Sequence, residues 1–244
     1  KMGLSADLER LAIVHTPERG GKARLSVFRT DDWKVEWVMP WFTWGDLSLE
    51  FSPLGDRLAI ATESKVRIID AATGERVGKP ISGCVARFSP DGRYCLLLGE
   101  DVLLVDSSSG KVLYEYEGLP GMMAAIKGPN KSRQYMEEGT LVQFSPNQSR
   151  VGLRLKDGKA MVLDCESGEV LLSLQASSRE ILWGRGSGGG TYHDIPLARA
   201  FDPQLQWLAE DSGSGRVRIV DIATGGSISE FQAIPELQGI TALA

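Results

Sequence analysis

The chain has 244 residues, enough for one large domain or two small ones, and with 42% hydrophobic and 24% charged residues it can bury a sizeable core. Its net charge of −5 disfavours generic nucleic-acid binding through phosphate neutralisation, though it leaves room for a local basic patch. There is no uninterrupted apolar run of about 18 residues, so no membrane span is expected, and the opening KMGLSADLER holds no signal-peptide core.

Taken in chain order, the predicted elements repeat. LSADL at Leu4 leads into the apolar run ERLAIV and then into VFRTDDWKV, two strands around a worn turn with Phe28 and Asp32 at its key positions. Trp37 to Asp46, WVMPWFTWGD, is longer than a connection needs; with Trp33 it gathers four of the six tryptophans between positions 33 and 44. Trp33, Val35 and Trp37 alternate, which puts both indoles on one strand face. Trp37, Trp41, Phe42 and Trp44 are candidate anchors for a protein or peptide, since tryptophan dominates interface hot spots; packing over their own sheet edge is the competing reading.

Phe51 opens a sharper copy, FSPLGDRLAIA, followed by KVRIID and the turn DAATG ending at Gly74. Phe88 opens the sharpest, RFSPDGRYCLLL, followed by DVLLVD and DSSSG ending at Gly110. The insertion over 119–139 carries Lys127, Lys131 and Arg133, suited to a phosphate or an acidic segment, or simply to solvent. Phe144 starts FSPNQ, which leads to DCESG ending at Gly168. The insertion over 177–196 supplies Trp183, Arg185 and Tyr192 as further candidate partner contacts. Its Gly184, Gly186 and Gly189 match GxGxxG, but with no strand-to-helix context they read as a flexible Gly-Ser run. Phe201 starts FDPQL and leads to DIATG ending at Gly225, and residues 237–244 read as the first strand of a further or shared unit.

The distance from Phe to the turn Gly is 23, 22, 24 and 24 residues in the four full copies. Four D-x-x-[ST]-G turns in phase with four Phe turns make a repeat. In the first turn Phe ends a strand and faces the core, Pro presets φ, and Asp-Gly closes the hairpin. In the second the Asp carboxylate caps backbone N–H groups of its own turn, the Ser or Thr hydroxyl does so more weakly, and Gly takes φ > 0. Each unit is therefore a four-stranded antiparallel meander, and with no long 3.6-period apolar segment the class is all-β. Radial repetition of such units gives a β-propeller, a single domain over 1–244 with repeats beginning near 4, 51, 88, 144 and 201. The five are either a closed ring or part of a larger one.

With these motifs the chain resembles the WD-repeat β-propellers over nearly its whole length. The residues that carry the resemblance are the Phe-Ser-Pro turns and the aspartates closing the third strands, in Ile69-Asp70, Val105-Asp106, Leu163-Asp164 and Val220-Asp221. The family's Trp before that Asp is replaced in every copy and its Gly-His pair is absent, so its buried polar network is not carried over. The turns also look like those of Tyr-Val-Thr-Asn-type propellers. The WD resemblance implies a non-catalytic scaffold or recognition module that binds a protein, or further domains of a longer chain, through the insertion-bearing face.

The alternatives are a propeller enzyme with a central-channel site and an RNA- or ribosome-associated module using Lys127, Lys131 and Arg133. No G-x-S-x-G, P-loop or paired Cys-x-x-Cys occurs, so no catalytic residue, metal or cofactor is assigned. Cys84, Cys95 and Cys165 read as small core residues, which points to a reducing, cytoplasmic setting.

Overall fold

The structure is a computed structural model and describes residues 1–15, 23–40, 47–62, 64–99, 101–116, 141–155, 158–175, 178–183, 191–196, 198–213 and 215–233. Among them 22 β-strands and no helix are found. Twenty strands make five antiparallel sheets, each a sequential meander. Blade 1 holds β1 (Met2–Leu4), β2 (Arg10–His15), β3 (Arg24–Arg29) and β4 (Val35–Pro40); blade 2 holds β5 (Ser48–Phe51), β6 (Arg57–Ala61), β7 (Lys65–Asp70) and β8 (Arg76–Ser82). Blade 3 holds β9 (Val85–Phe88), β10 (Tyr94–Leu98), β11 (Val102–Asp106) and β12 (Lys111–Tyr116). Blade 4 holds β13 (Leu141–Phe144), β14 (Arg150–Arg154), β15 (Ala160–Asp164) and β16 (Val170–Leu174); blade 5 holds β19 (Arg199–Phe201), β20 (Trp207–Gly213), β21 (Arg216–Asp221) and β22 (Ser227–Gln232). Between blades 4 and 5, β17 (Ser178–Trp183) and β18 (Thr191–Pro196) form a separate two-stranded hairpin. All five first strands end at the residue that opens a repeat, as the sequence pattern predicts.

The chain divides into two compact units, Lys1–Glu138 with blades 1 to 3 and Gly139–Ala244 with blades 4 and 5. In the first unit, Ala12, Leu25 and Val27 of blade 1 pack on Phe51, Leu58, Ile60 and Ile69 of blade 2. Blade 2 then offers Ala59, Ala61, Val66 and Ile68 to Phe88, Cys95, Leu97 and Val105 of blade 3. Blade 2 thus buries both faces, with alternate residues of one strand serving opposite neighbours. In the second unit, Val162 and Leu172 of blade 4 meet Leu205, Leu208, Val220 and Ile222 of blade 5. The three cysteines are buried and form no disulfide with one another. Phe51 and Phe88 are buried, whereas Phe144 and Phe201 are only half-buried.

Three readings of the sequence change. β4 extends through Trp37 to Pro40, with Trp37 paired to Val27, so the first insertion starts after Pro40. Trp33 does not share a strand face with Trp37: it sits in the turn before β4 at φ 57° and is exposed. Arg29 pairs with Arg10 as Asp70 pairs with Arg57, so Arg29, not Phe28, holds the motif-Asp position of the worn copy.

Glycines at the D-x-x-[ST]-G turns separate backbone strain from inter-blade contact. Gly110 and Gly225 have nearly equal φ, 67° and 66°. A Cβ on Gly110 would lie 2.5 Å from the Val77 carbonyl oxygen of blade 2, while one on Gly225 meets nothing within 4 Å. Gly110→Ala is expected to destabilise by at least about 1–3 kcal/mol more than Gly225→Ala, the difference being the steric conflict. Chemical denaturation of both variants checks this, and equal losses would show that blades 2 and 3 do not approach here.

Candidate functional site

In a four-stranded meander the first and third turns lie at one end of the blade, and the connections to the following blade lie at the other. The turn end is built from the same hydrogen bonds in every copy. The residue after Phe accepts the N–H five residues on: Ser5 Oγ from Arg10 at 2.9 Å, Ser52 Oγ from Arg57 at 3.0 Å, Ser89 Oγ from Tyr94 at 2.9 Å and Ser145 Oγ from Arg150 at 3.0 Å. These four serines are buried. In the fifth copy Asp202 Oδ1 does the same for Trp207 at 2.6 Å. Each serine hydroxyl in turn donates to a nearby side-chain oxygen, that of Asp7, Asp56, Asp91 or Asn147.

The third turns are as uniform. Oδ1 of Asp70, Asp106, Asp164 and Asp221 accepts the N–H three residues on at 2.9, 2.8, 2.8 and 2.8 Å, and also the hydroxyl of that same Thr or Ser. That hydroxyl oxygen accepts the N–H two residues further along. Partial burial pushes the Asp70, Asp106 and Asp164 carboxyls upward, but the hydrogen bonds outweigh it and all three end below the ordinary 3.8. Asp221 is lowered by its bonds to Thr224. In the worn copy, Arg29 and the Lys34 N–H bring Asp32 down to about 2. One oxygen of each of these four motif carboxylates is thus committed to its own turn.

The opposite ends carry the length variation. Segments 41–46 and 117–140 follow the fourth strands of blades 1 and 3, and the β17–β18 hairpin follows that of blade 4. Trp41, Phe42, Trp44, Lys127, Lys131, Arg133 and Arg185 lie outside the described residues. The 177–196 insertion is not simply a Gly-Ser run: Ser178 pairs with Pro196 and the register continues to Trp183 opposite Thr191, with Tyr192 opposite Leu182. Trp37 has a structural place. Its Nε1 donates to the Ala71 carbonyl at 2.8 Å, and its ring lies so close to Gly74 that a Cβ there would be 2.7 Å from Cδ2. It therefore joins blade 1 to the third turn of blade 2.

Two charged features escaped the sequence reading. Glu50, one position before Phe51, reaches across to blade 3 and accepts the Phe88 N–H at 3.1 Å and Arg87 Nη1 at 2.6 Å. Burial raises its pKa, an effect that Arg87 opposes. Gln143, at the same register position in blade 4, donates to the Asp202 carbonyl of blade 5 at 2.8 Å. The second feature is a row across three strands of blade 5: Glu210 is buried between Arg199 at 3.1 Å and Arg218, whose Nε lies at 2.7 Å. Arg199 extends to blade 4, donating to the carbonyls of Gly158 and, at 3.0 Å, Gln175. The signal was present in LAED, where two acids stand in a second strand that is largely apolar in other copies. In blade 2 the residues paired as Arg199 and Glu210 are paired are Leu49 and Ile60.

On the turn end of the second unit a cleft of about 280 Å³ opens between the first turns of blades 4 and 5, lined by Pro146, Asn147, Ser149, Arg150, Gln204 and Gln206. Among the described residues no group of three or more His, Cys, Asp or Glu is arranged to hold a metal ion. No helix of the described residues is long and apolar enough to cross a membrane.

No protein-family model matches the chain, and no curated protein does. Among solved structures it is similar to Kuenenia stuttgartiensis hydrazine synthase, at 15% identity over 91% of this chain and 76% of that one, with a TM-score of 0.47. It is also similar to a eukaryotic initiation factor, at 13% identity over 95% of this chain and 55% of that one, with a TM-score of 0.58. The chain thus spans about half the length of that initiation-factor chain. At such identity the likeness concerns the fold, an all-β, propeller-type array of four-stranded antiparallel blades.

The buried row gives a direct test. Glu210→Ala leaves Arg199 charged, buried and without its carboxylate, and is expected to cost about 3–5 kcal/mol. Replacing the pair as in blade 2, with Arg199→Leu and Glu210→Ile together, is expected to recover most of that loss. Denaturation midpoints of the single and double variants decide it; a double variant as unstable as the single would assign the row a role beyond charge balance.

Proposed function

We propose that this chain is a non-catalytic protein-interaction module, a divergent member of the WD-repeat type, that recognises a partner through the blade ends bearing the insertions. The observation that supports this reading is the contrast between the two ends. At the turn end the repeated serine and aspartate oxygens are consumed by their own turns, copy after copy. At the other end, connections of very different length interrupt the same repeat. Long connections on a rigid scaffold are where binding residues concentrate. The first insertion is rich in tryptophan and the second in lysine and arginine, a mixture suited to a protein surface with apolar and acidic parts.

The test compares proteins retained by the chain with those retained by a variant whose segments 41–46, 117–140 and 184–190 are shortened to tight turns. The control is Asp221→Asn, which alters a turn at the other end. Partners are expected to be kept by the control and lost by the shortened variant. Partners retained equally by all three chains would move the site away from the insertions.

A further inference from the structure

The arginine that opens the second strand is used differently in blades 2 and 4. Arg57 stands in register with Asp70, and Arg150 with Asp164. Arg57 Nη1 holds two carboxylates, Asp70 at 3.1 Å and Asp56 at 3.4 Å. Arg150 forms no ion pair with any described residue. Its Nη1 donates to the Leu205 carbonyl of blade 5 at 2.7 Å, which fixes the guanidinium between the two blades. Among the described residues nothing accepts from its Nε or Nη2. The local sequence explains the difference. Ser149 stands where Asp56 stands, at the fifth place after the Phe position. At the third or fifth place blade 1 carries Asp7 and Glu9, blade 2 Asp56 and blade 3 Asp91, whereas blades 4 and 5 carry Asn147, Ser149, Gln204 and Gln206.

These neutral residues, with Pro146 and Arg150, line the cleft of about 280 Å³ between the first turns of blades 4 and 5. The cleft is rich in unspent donors. Asn147 Oδ1 accepts Ser145 Oγ at 2.8 Å, Ser149 Oγ at 2.9 Å and the Ser149 N–H at 3.3 Å, so its carbonyl is used within the turn and its NH₂ group is not. The side chains of Gln204 and Gln206 are exposed and have no partner among the described residues. The acids of the same turns are engaged. Asp202 gives both oxygens to N–H groups of its own turn. Asp164 and Asp221, which lie within electrostatic reach of Arg150, each give Oδ1 to theirs.

We infer that this cleft binds the side-chain carboxylate of a glutamate or aspartate in a peptide segment of a partner, and that this carboxylate takes on Arg150 the place that Asp56 and Asp70 fill on Arg57. The Nε–H and Nη2–H of one guanidinium form a fork that a carboxylate meets with both oxygens. The amides of Asn147, Gln204 and Gln206 suit the flanking peptide groups, each of which offers one donor and one acceptor. The lining holds no aromatic ring on which a nucleic-acid base could stack. It is also more polar than the mostly apolar sites that enclose small molecules. The neighbouring Asp164, Asp202 and Asp221 oppose a dianion such as phosphate more than a single carboxylate. The cleft lies at the turn end, so this inference does not rest on the reading of the insertions.

The test titrates the chain of residues 1–244 with the peptide acetyl-Gly-Glu-Gly-amide and follows by NMR the Arg150 Nε–H and the side-chain amides of Asn147, Gln204 and Gln206. These signals are expected to shift together and to saturate with a dissociation constant on the order of 1 mM. The same peptide with Gln in place of Glu, and inorganic phosphate, are expected to bind at least about tenfold more weakly. Arg150→Gln is expected to abolish the response, and Arg57→Gln, verified as folded by far-UV circular dichroism, to keep it. Ser149→Asp restores within the chain the acid that blade 2 has in Asp56; it is expected to block the peptide without lowering the denaturation midpoint. The inference is overturned if the unaltered chain gives no saturable shift at these groups, if the Gln peptide or phosphate binds as tightly as the Glu peptide, or if folded Ser149→Asp binds the peptide as well as the unaltered chain.

Discussion

A tight turn between two strands leaves backbone N–H groups that no neighbouring strand can accept, and in this protein one side-chain oxygen at the start of each turn takes them. Leaving such a donor buried and unmade costs about 1–3 kcal/mol, so the serine or aspartate that follows each first strand, and the aspartate that ends the third strand of blades 2 to 5, hold the hairpins in register. Register in turn decides which residues face which neighbour, because a slip by one residue exchanges the two faces of a strand. The apolar layers between blades therefore depend on polar atoms at the blade ends.

The same arrangement divides the blade into an end that is chemically finished and one that is not. One oxygen of each motif aspartate is spent on its own turn, so the recurrence of these acids in the sequence is explained by turn chemistry. Where charge enters the layers themselves it is paired, as in Glu50 with Arg87 and in Arg199 with Glu210 and Arg218. Such pairs add little net stability compared with apolar residues but penalise wrong neighbours, since a blade offering no partner would strand a buried charge. The Arg199 row sits where blade 5 meets blade 4 and where the β17–β18 hairpin is inserted, tying the Gly158 and Gln175 carbonyls to one guanidinium.

Much of the fold was legible because its determinants are local. Phe-Ser-Pro-Asp-Gly and D-x-x-[ST]-G each fix a turn within five residues, and their constant separation counts the strands between them. The worn first copy misled where locality failed: Trp33 takes a left-handed conformation that sequence logic reserves for Gly, and so lies in the turn and not on the strand face of Trp37. Inter-blade polar contacts were not legible, since Glu50 and Phe88 are 38 residues apart and Glu50 itself belongs to no motif. The hairpin in the third insertion was hidden by its glycine-rich tip, which dominates the composition while the flanking segments pair. Of the candidate site residues, most fall on connections whose sequence carries no periodicity, and periodicity is what made the rest readable.

The central claim is that the motif aspartates are structural hydrogen-bond acceptors, and their titration measures it most directly. A carboxyl whose folded pKa lies below its ordinary value adds stability that is fully present above that value and is lost as pH falls through the folded one. Side-chain carboxyl chemical shifts of Asp70, Asp106, Asp164 and Asp221, followed by NMR from neutral pH downward, are expected to give four values below 3.8, with stability falling across the same interval. Titration of these groups at or above 3.8, with stability unchanged as they protonate, would contradict the account.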